Sequence, residues 1–524
     1  MPRLLAITPI AVLLLGLVTV TPAAAQGKPA GELTIVLSSF STETLDPVLS
    51  GHIGKFYLSQ IFDYLVGVTP DGKLSNDGGA ANRWEVSADH KRWTFHLRKG
   101  IRFHTGDELS AEDVKFSLLR AIGKRSTTGY AGPLRTLIHE IETPAPDRVV
   151  IVTKEPTLII PSYLSRALSS EGMIVSKKYV EAKGDDGFAR APVGSGPYRF
   201  AEQVTGSHIK LEAVDAHWRV GVPRYKTLVF KLVPEETTRI ALLRRGEADI
   251  VEISRDRVKE VERGGFPISL RREDTHIDFW WVMPIDQSPL RDKRVREALN
   301  LAIDRKEVAA AIFGGLAEPG AVPFGLSWSF PDMKFKLTPE LYYPFDPARA
   351  QKLLAEAGYG GGFPLELYAF QLPGLPEGRA MAEALAGYWQ KLGIQPKLVP
   401  VDYPAFRKKW LDRAAPGALG YFNIANRNWI GTYALIEKYT GPAERTATIR
   451  DPELDGMVAA VVRQTDREKI DALMRNIFVR LRSEHYGIPL VYLHTPYATA
   501  KRIPKWNPGS LMYDLNLDEL ITTR

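Results

Sequence analysis

Two arginines and a tryptophan near the carboxyl third hold the clearest binding chemistry in the chain. Arg413 precedes, and Arg427 and Trp429 lie within, the run Asn423-Ile424-Ala425-Asn426-Arg427-Asn428-Trp429-Ile430-Gly431-Thr432-Tyr433. A guanidinium grips a carboxylate or phosphate through two parallel hydrogen bonds. Ligand pockets are otherwise lined by aromatic rings and a few placed polar groups, and Trp429 and Tyr433 fit that description. Trp281 belongs to a second candidate stretch, Phe279-Trp280-Trp281-Val282-Met283, whose bulk suits a strand buried on both faces or lining a cavity. Tyr492 and His494 stand on the strand-like stretch that closes the chain.

Catalytic arrangements are missing. There is no cysteine, no Gly-x-Ser-x-Gly frame and no His-Glu-x-x-His, and only ten histidines are spread over 524 residues. His90, His96 and His104 come close together, but five and seven intervening residues do not suit one helix face, so no metal site is expected. Pro192-Val193-Gly194-Ser195-Gly196-Pro197-Tyr198 lacks the lysine and hydroxyl of a phosphate-cradling loop, and Pro197 removes an amide such a loop would use. It reads as a tight turn leading into a strand. No cofactor and no enzymatic activity are expected.

The elements that must position these residues alternate strand and helix. Trp93, Phe95 and Leu97 alternate with Thr94, His96 and Arg98, which predicts a strand with one buried face. Ile101 and Phe103 resume that alternation as a second strand, and Ser110 with Asp113 forms a capping box for a helix striped by Val114, Leu118, Ala121 and Ile122. Gly31–Leu37 reads as a strand and Lys55–Val68 as a helix. Pro289–Ile312 splits into two helices, the second capped by Asp304 with Glu307 at its third position. Asp346-Pro347 opens a further helix that stops at Gly358. Strand 363–370, helix 377–392 and strand 394–401 form a β-α-β unit and so imply a parallel pair. Helices follow at 404–411, 453–463 and 466–482, with strands at 421–425 and 488–493.

Residues 1–25 carry Arg3, an apolar run from Leu4 to Val20 and Ala23-Ala24-Ala25, the pattern of a secretory signal peptide. A soluble periplasmic protein without a lipid anchor is therefore expected, since there is no second apolar run and no cysteine to lipidate. The chain is too long for one core. With 44% hydrophobic and 25% charged residues it has globular composition. The net charge of +7 is interleaved with acids, as in Arg291-Asp292-Lys293-Arg294, so no nucleic-acid partner is expected.

Several stretches together resemble the family 5 extracellular solute-binding proteins, the peptide- and nickel-type receptors of ABC importers. The resemblance rests on Phe95-His96-Leu97-Arg98-Lys99-Gly100 with Ala111-Glu112-Asp113-Val114, on Leu45-Asp46-Pro47, on Pro192 to Tyr198, on Gly246-Glu247-Ala248-Asp249-Ile250, on Val295-Arg296 through Ala302-Ile303-Asp304-Arg305, and on Phe345-Asp346-Pro347 through Gly358-Tyr359. It implies an α/β fold of the type II periplasmic binding class, with two lobes joined by a hinge and an inserted extra domain. The expected division is residues 31–53 with 190–275 and 488–524 as lobe I, 54–189 as the insert, and 276–487 as lobe II. It also implies a monomer that captures an oligopeptide, dipeptide or amino-acid-derived solute between its lobes and delivers it to an ABC permease and its ATPase. In the peptide-binding branch an aspartate shortly after the strand-end tryptophan holds the ligand's amino terminus. Here Trp429 is in place and the acid is not. Either Asp278 or Glu437 substitutes, or the ligand is a non-peptide anion such as an opine, a sugar conjugate or a nickel chelate. Tyr492 and His494 lie near where the family places ligand-proximal aromatics. A periplasmic chaperone or hydrolase is the alternative from another class.

Overall fold

The computed structural model describes residues 28–520 except 41, 51–53, 71, 169, 220, 282–287, 324–336, 371–374, 376, 413, 415–418, 426–435, 437–446, 504–505, 510–513 and 518–519. The chain opens with β1 (Glu32–Leu37), followed by a short hairpin of β2 (Gly67–Val68) and β3 (Leu74–Ser75). A four-stranded antiparallel sheet comes next, from β4 (Ala81–Val86), β5 (Arg92–Leu97), β6 (Ile138–Ala145) and β7 (Arg148–Thr153), in the order β4-β5-β7-β6. The remaining strands are β8 (Tyr198–Val204), β9 (His208–Ala213), β10 (Thr227–Leu232), β11 (Ile250–Glu252), β12 (Ile268–Trp281), β13 (Ala317–Pro319), β14 (Pro364–Ala369), β15 (Gln395–Pro400), β16 (Leu419–Ala425) and β17 (Ile488–Thr499).

These last strands and β1 build one eleven-stranded sheet, ordered β15-β14-β16-β12-β17-β11-β1-β10-β9-β8 with β13 paired to β17. It has two halves. In one, β1 lies between β10 and β11 and runs parallel to both. In the other, β14 is parallel to β15 and to β16. Two long antiparallel strands link the halves. The first part of β12 pairs with the last part of β17, which also pairs with β11; the later part of β12 pairs with β16 and the start of β17. The β12–β17 register breaks between Arg272 and Thr275, where the two strands pass from one half to the other. A β-bulge of this kind bends and twists the ribbon locally.

Local physics explains most of these elements. β5 alternates exposed and buried residues along its length, with Trp93, Phe95 and Leu97 inward. Helix Ala111–Ala121 carries the full capping box between Ser110 and Asp113. Asp304 accepts from the Lys306 and Glu307 amides to start Arg305–Phe313, and Asp346 accepts from the Arg349 amide to start Pro347–Glu356. The β14, helix Gly378–Gln390 and β15 unit is parallel as its periodicity requires.

Three expectations differ. The helix starting at Lys55 ends at Ile61, not Val68. Beyond it the Leu65 and Val66 amides donate to the Gly172 and Leu164 carbonyls, so tertiary pairing overrides the helical pattern. Ile101 and Phe103 are buried, but only a single bridge between Arg102 and Glu108 forms there. The closing strand continues six residues past Leu493 to Thr499, because its second half has β11 and β12 as partners.

Candidate functional site

The parallel strands β10, β1 and β11 bring their carboxyl ends to one edge, with β1 between them where the chain order reverses. Open α/β sheets hold ligands at such edges. Ser38, directly after β1, donates from its hydroxyl to Glu252 Oε2 at 2.7 Å at the end of β11. Ser254 donates to Glu236 Oε2 at 2.9 Å, and Arg255 follows. On the other half, the carboxyl end of β14 leads to Glu377, which precedes helix Gly378–Gln390.

The two edges meet. Arg255 Nη1 lies 3.1 Å from Glu377 Oε1 and 3.3 Å from Oε2. Arg255 Nε donates to the His494 carbonyl at 2.8 Å, and its guanidinium lies over the Phe313 ring at 5.7 Å. Both charged side chains are buried. Residue spacing gave no hint of this pair, because its members are far apart in sequence and in different motifs.

His494 thus contributes its backbone: the carbonyl orients Arg255 and the amide donates to Leu316 at 3.2 Å. Two residues earlier, Tyr492 is buried, and its hydroxyl accepts from the Ala321 amide at 3.3 Å. Burial holds that phenol well above its usual pKa. The Tyr492 ring meets His276 edge to face at 6.2 Å, and His276 Nε2 lies 3.4 Å from Asp278 Oδ2. Asp278 is therefore a buried acid on β12, one of the two crossing strands, that already faces an imidazole. Trp281 ends β12 fully buried in the hydrophobic core. Arg413, Arg427, Trp429, Tyr433 and Glu437 lie outside the described residues.

A second charged cluster sits on the β1 side. Lys55 is buried and donates to the Arg166 carbonyl at 2.8 Å and the Leu168 carbonyl at 3.2 Å. Burial pulls its ammonium down to about 8, against the nearby Asp514 charge. Asp514 takes a two-pronged bond from Arg166, one prong at 2.7 Å. Burial alone would raise that carboxyl, but Arg166 and Lys55 hold it below the usual range. Asp46, the acid of the Leu45-Asp46-Pro47 motif, is claimed by Arg120 at 2.9 and 3.3 Å. It therefore fixes the loop after β1 to helix Ala111–Ala121. Among the described residues no group of three or more His, Cys, Asp or Glu is placed to hold a metal ion.

Residues 77–446 match the bacterial extracellular solute-binding proteins, family 5. The chain belongs to that family. Members of family 5 bind solutes rather than transform them, and the α/β architecture here is their type II binding-protein fold. The dipeptide-binding protein of Escherichia coli K12 is 29% identical over 368 residues, 64% of this chain and 65% of its own length. Two solved structures share the fold. NikA from Brucella suis, in complex with Fe(III)-EDTA, has a TM-score of 0.81 at 22% identity, covering 94% of this chain and all of that one. AgaA from A. tumefaciens R10, in complex with agropinic acid, has a TM-score of 0.78 at 24% identity, covering 94% and 98%. Among the described residues of this family 5 protein, no helix is long and apolar enough to cross a membrane.

Proposed function

We propose that this family 5 protein is the periplasmic receptor of an ABC importer, exported by its first 25 residues. It captures a small peptide or amino-acid-derived solute between two lobes and hands it to a permease and its ATPase. The lobes correspond to the two halves of the large sheet, and the antiparallel sheet β4-β5-β7-β6 is the insert. The observation that carries the reading is the meeting of two carboxyl edges, at Arg255 and Glu377, beside two strands that cross between the halves. A solute lodged between the two edges touches both lobes, which is what a ligand must do to favour closure. The similarity to a dipeptide-binding protein supports a peptide-sized ligand.

A second reading has its own support. No acid stands in the run Ile430 to Tyr433 directly after Trp429, while Arg413 and Arg427 suit a carboxylate, and a structure with the same fold holds agropinic acid. The ligand is then an anionic non-peptide such as an opine or sugar conjugate.

Native mass spectrometry of protein released gently from a periplasm, followed by fragmentation of the ejected mass, separates the two. An ejected peptide establishes the first reading, with an acid such as Asp278 or Glu437 taking the amine. An ejected anion without peptide fragments replaces it with the second. Cleavage of labelled peptides by the purified protein would overturn both.

A further inference from the structure

Burying a guanidinium between two bodies is tolerable only with a carboxylate opposite it, because each charge loses its hydration. Arg255 meets that condition. It follows β11, its side chain is about 1% exposed, and its nearest charged partner is Glu377 from the other half of the sheet, about 8% exposed. The remaining contacts fix its direction. Nε is held by the His494 carbonyl on β17, one of the two crossing strands, and the plane of the group rests over Phe313, the last residue of helix Arg305–Phe313. The Arg255 carbonyl also lies near Gly314 of the opposite half, where an added Cβ would meet it in ordinary van der Waals contact at 3.4 Å. Every one of these partners is a protein group. The contact is thus built from groups of the chain itself.

We propose that Arg255 and Glu377 are a latch between the lobes, holding a closed form populated without solute and so setting how much of the binding energy is left for affinity. This rests on the two-lobed reading above. Opening must separate the carboxyl edges, which carry the two residues on different lobes, and rehydrate both charges. Closing must bring them together or leave one buried alone. Removing a single partner consequently disfavours closure strongly. Removing both charges with apolar groups of similar volume does not, since replacing a whole buried pair in this way is often neutral.

The absence of cysteine makes the test clean, because an introduced pair is labelled without background. Spin labels at Ala201→Cys on β8 and Gln395→Cys on β15 sit on exposed positions at the opposite outer edges of the large sheet. Their distance distribution is measured by pulsed electron resonance on solute-free full-length protein. Wild type is expected to show a short and a long component. Glu377→Gln should reduce the short component by a factor of about ten or more, as should Arg255→Gln. The double variant Arg255→Met with Glu377→Leu should restore it to within about threefold of wild type. If Glu377→Gln does not fold, Glu377→Asp shortens the side chain, lengthens the same contact and should shift the balance the same way. Two components whose shares ignore these substitutions overturn the latch and leave the lobes intact. A single long distance in wild type overturns the latch as well. If that distance also persists with the solute ejected in the mass-spectrometric experiment added back, the two-lobed reading falls with it.

Discussion

At His485 the fold keeps an imidazole neutral by burying it among cations. Burial first, and then the charges of Arg482, Lys293, Arg296 and Arg349, pull its pKa down to about 3. Tyr343 Oη lies 2.9 Å from Nδ1, and the Glu297 carboxylate stands 3.6 Å from Nε2 without offsetting the cations. In the unfolded chain the ring takes a proton below about 6.5. Between that value and 3 the unfolded state binds the extra proton, so stability falls as pH falls, by up to about 1.4 kcal/mol per pH unit from this residue. Above the unfolded value it adds no pH dependence. Urea midpoints at pH 7 and pH 4.5 check this: wild type should lose ground relative to His485→Gln as the pH drops, and an unchanged gap would refute it. The glycines near Pro192 make a steric case. A Cβ on Gly194 would sit 2.0 Å from the Ile61 carbonyl oxygen, whereas Gly132 has nothing within 4 Å. Gly194→Ala should therefore cost about 1–3 kcal/mol in thermal or urea unfolding, and Gly132→Ala should cost far less. The sequence marked this turn as tight, but it could not say that backbone packing against Ile61, rather than a ligand, demands the small residues.

At the scale of elements, the parts with local causes were readable and those with distant partners were not. The Asp304 side chain accepts two amides at 3.0 Å, as the Asp304 and Glu307 spacing predicted. Asp304→Ala should lower stability by about 1 kcal/mol, read as a shift in urea midpoint. A change within error would mean that water or a neighbour replaces the cap. The β14-helix-β15 unit and helix Ala111–Ala121 were legible for the same reason: their periodicity and caps lie within one stretch. The helix starting at Lys55 was overextended because its end is decided by distant carbonyls, those of Leu164 and Gly172. β17 was cut short at Leu493 because its polar second half is a strand only by virtue of β11 and β12. Tyr492 and His494 lie on β17, the closing strand the sequence placed them on, and His494 meets Arg255 through its backbone, for which side-chain chemistry gives no signal. Arg255 and Glu377 escaped notice because a buried ion pair between distant segments leaves no local pattern.

For the whole molecule, affinity has two factors: the strength of the contacts in the closed form, and the fraction of protein that can adopt it. The proposals above assign different residues to each. We propose Trp429, with Arg413 and Arg427, for the contacts, and Arg255 with Glu377 for the closed fraction. Trp429→Ala should weaken binding of the co-purified solute while leaving the solute-free label distances unchanged. Glu377→Gln should weaken it while shifting those distances. Because the two act on separate factors, their effects on ΔG should add, as they do for sites without shared partners. Calorimetric titration of the single and combined variants tests this directly. Losses that add to within about 0.5 kcal/mol fit the separation. A combined loss no larger than either alone would mean that Trp429 and the Arg255–Glu377 pair act through one contact, with the ligand itself touching the latch.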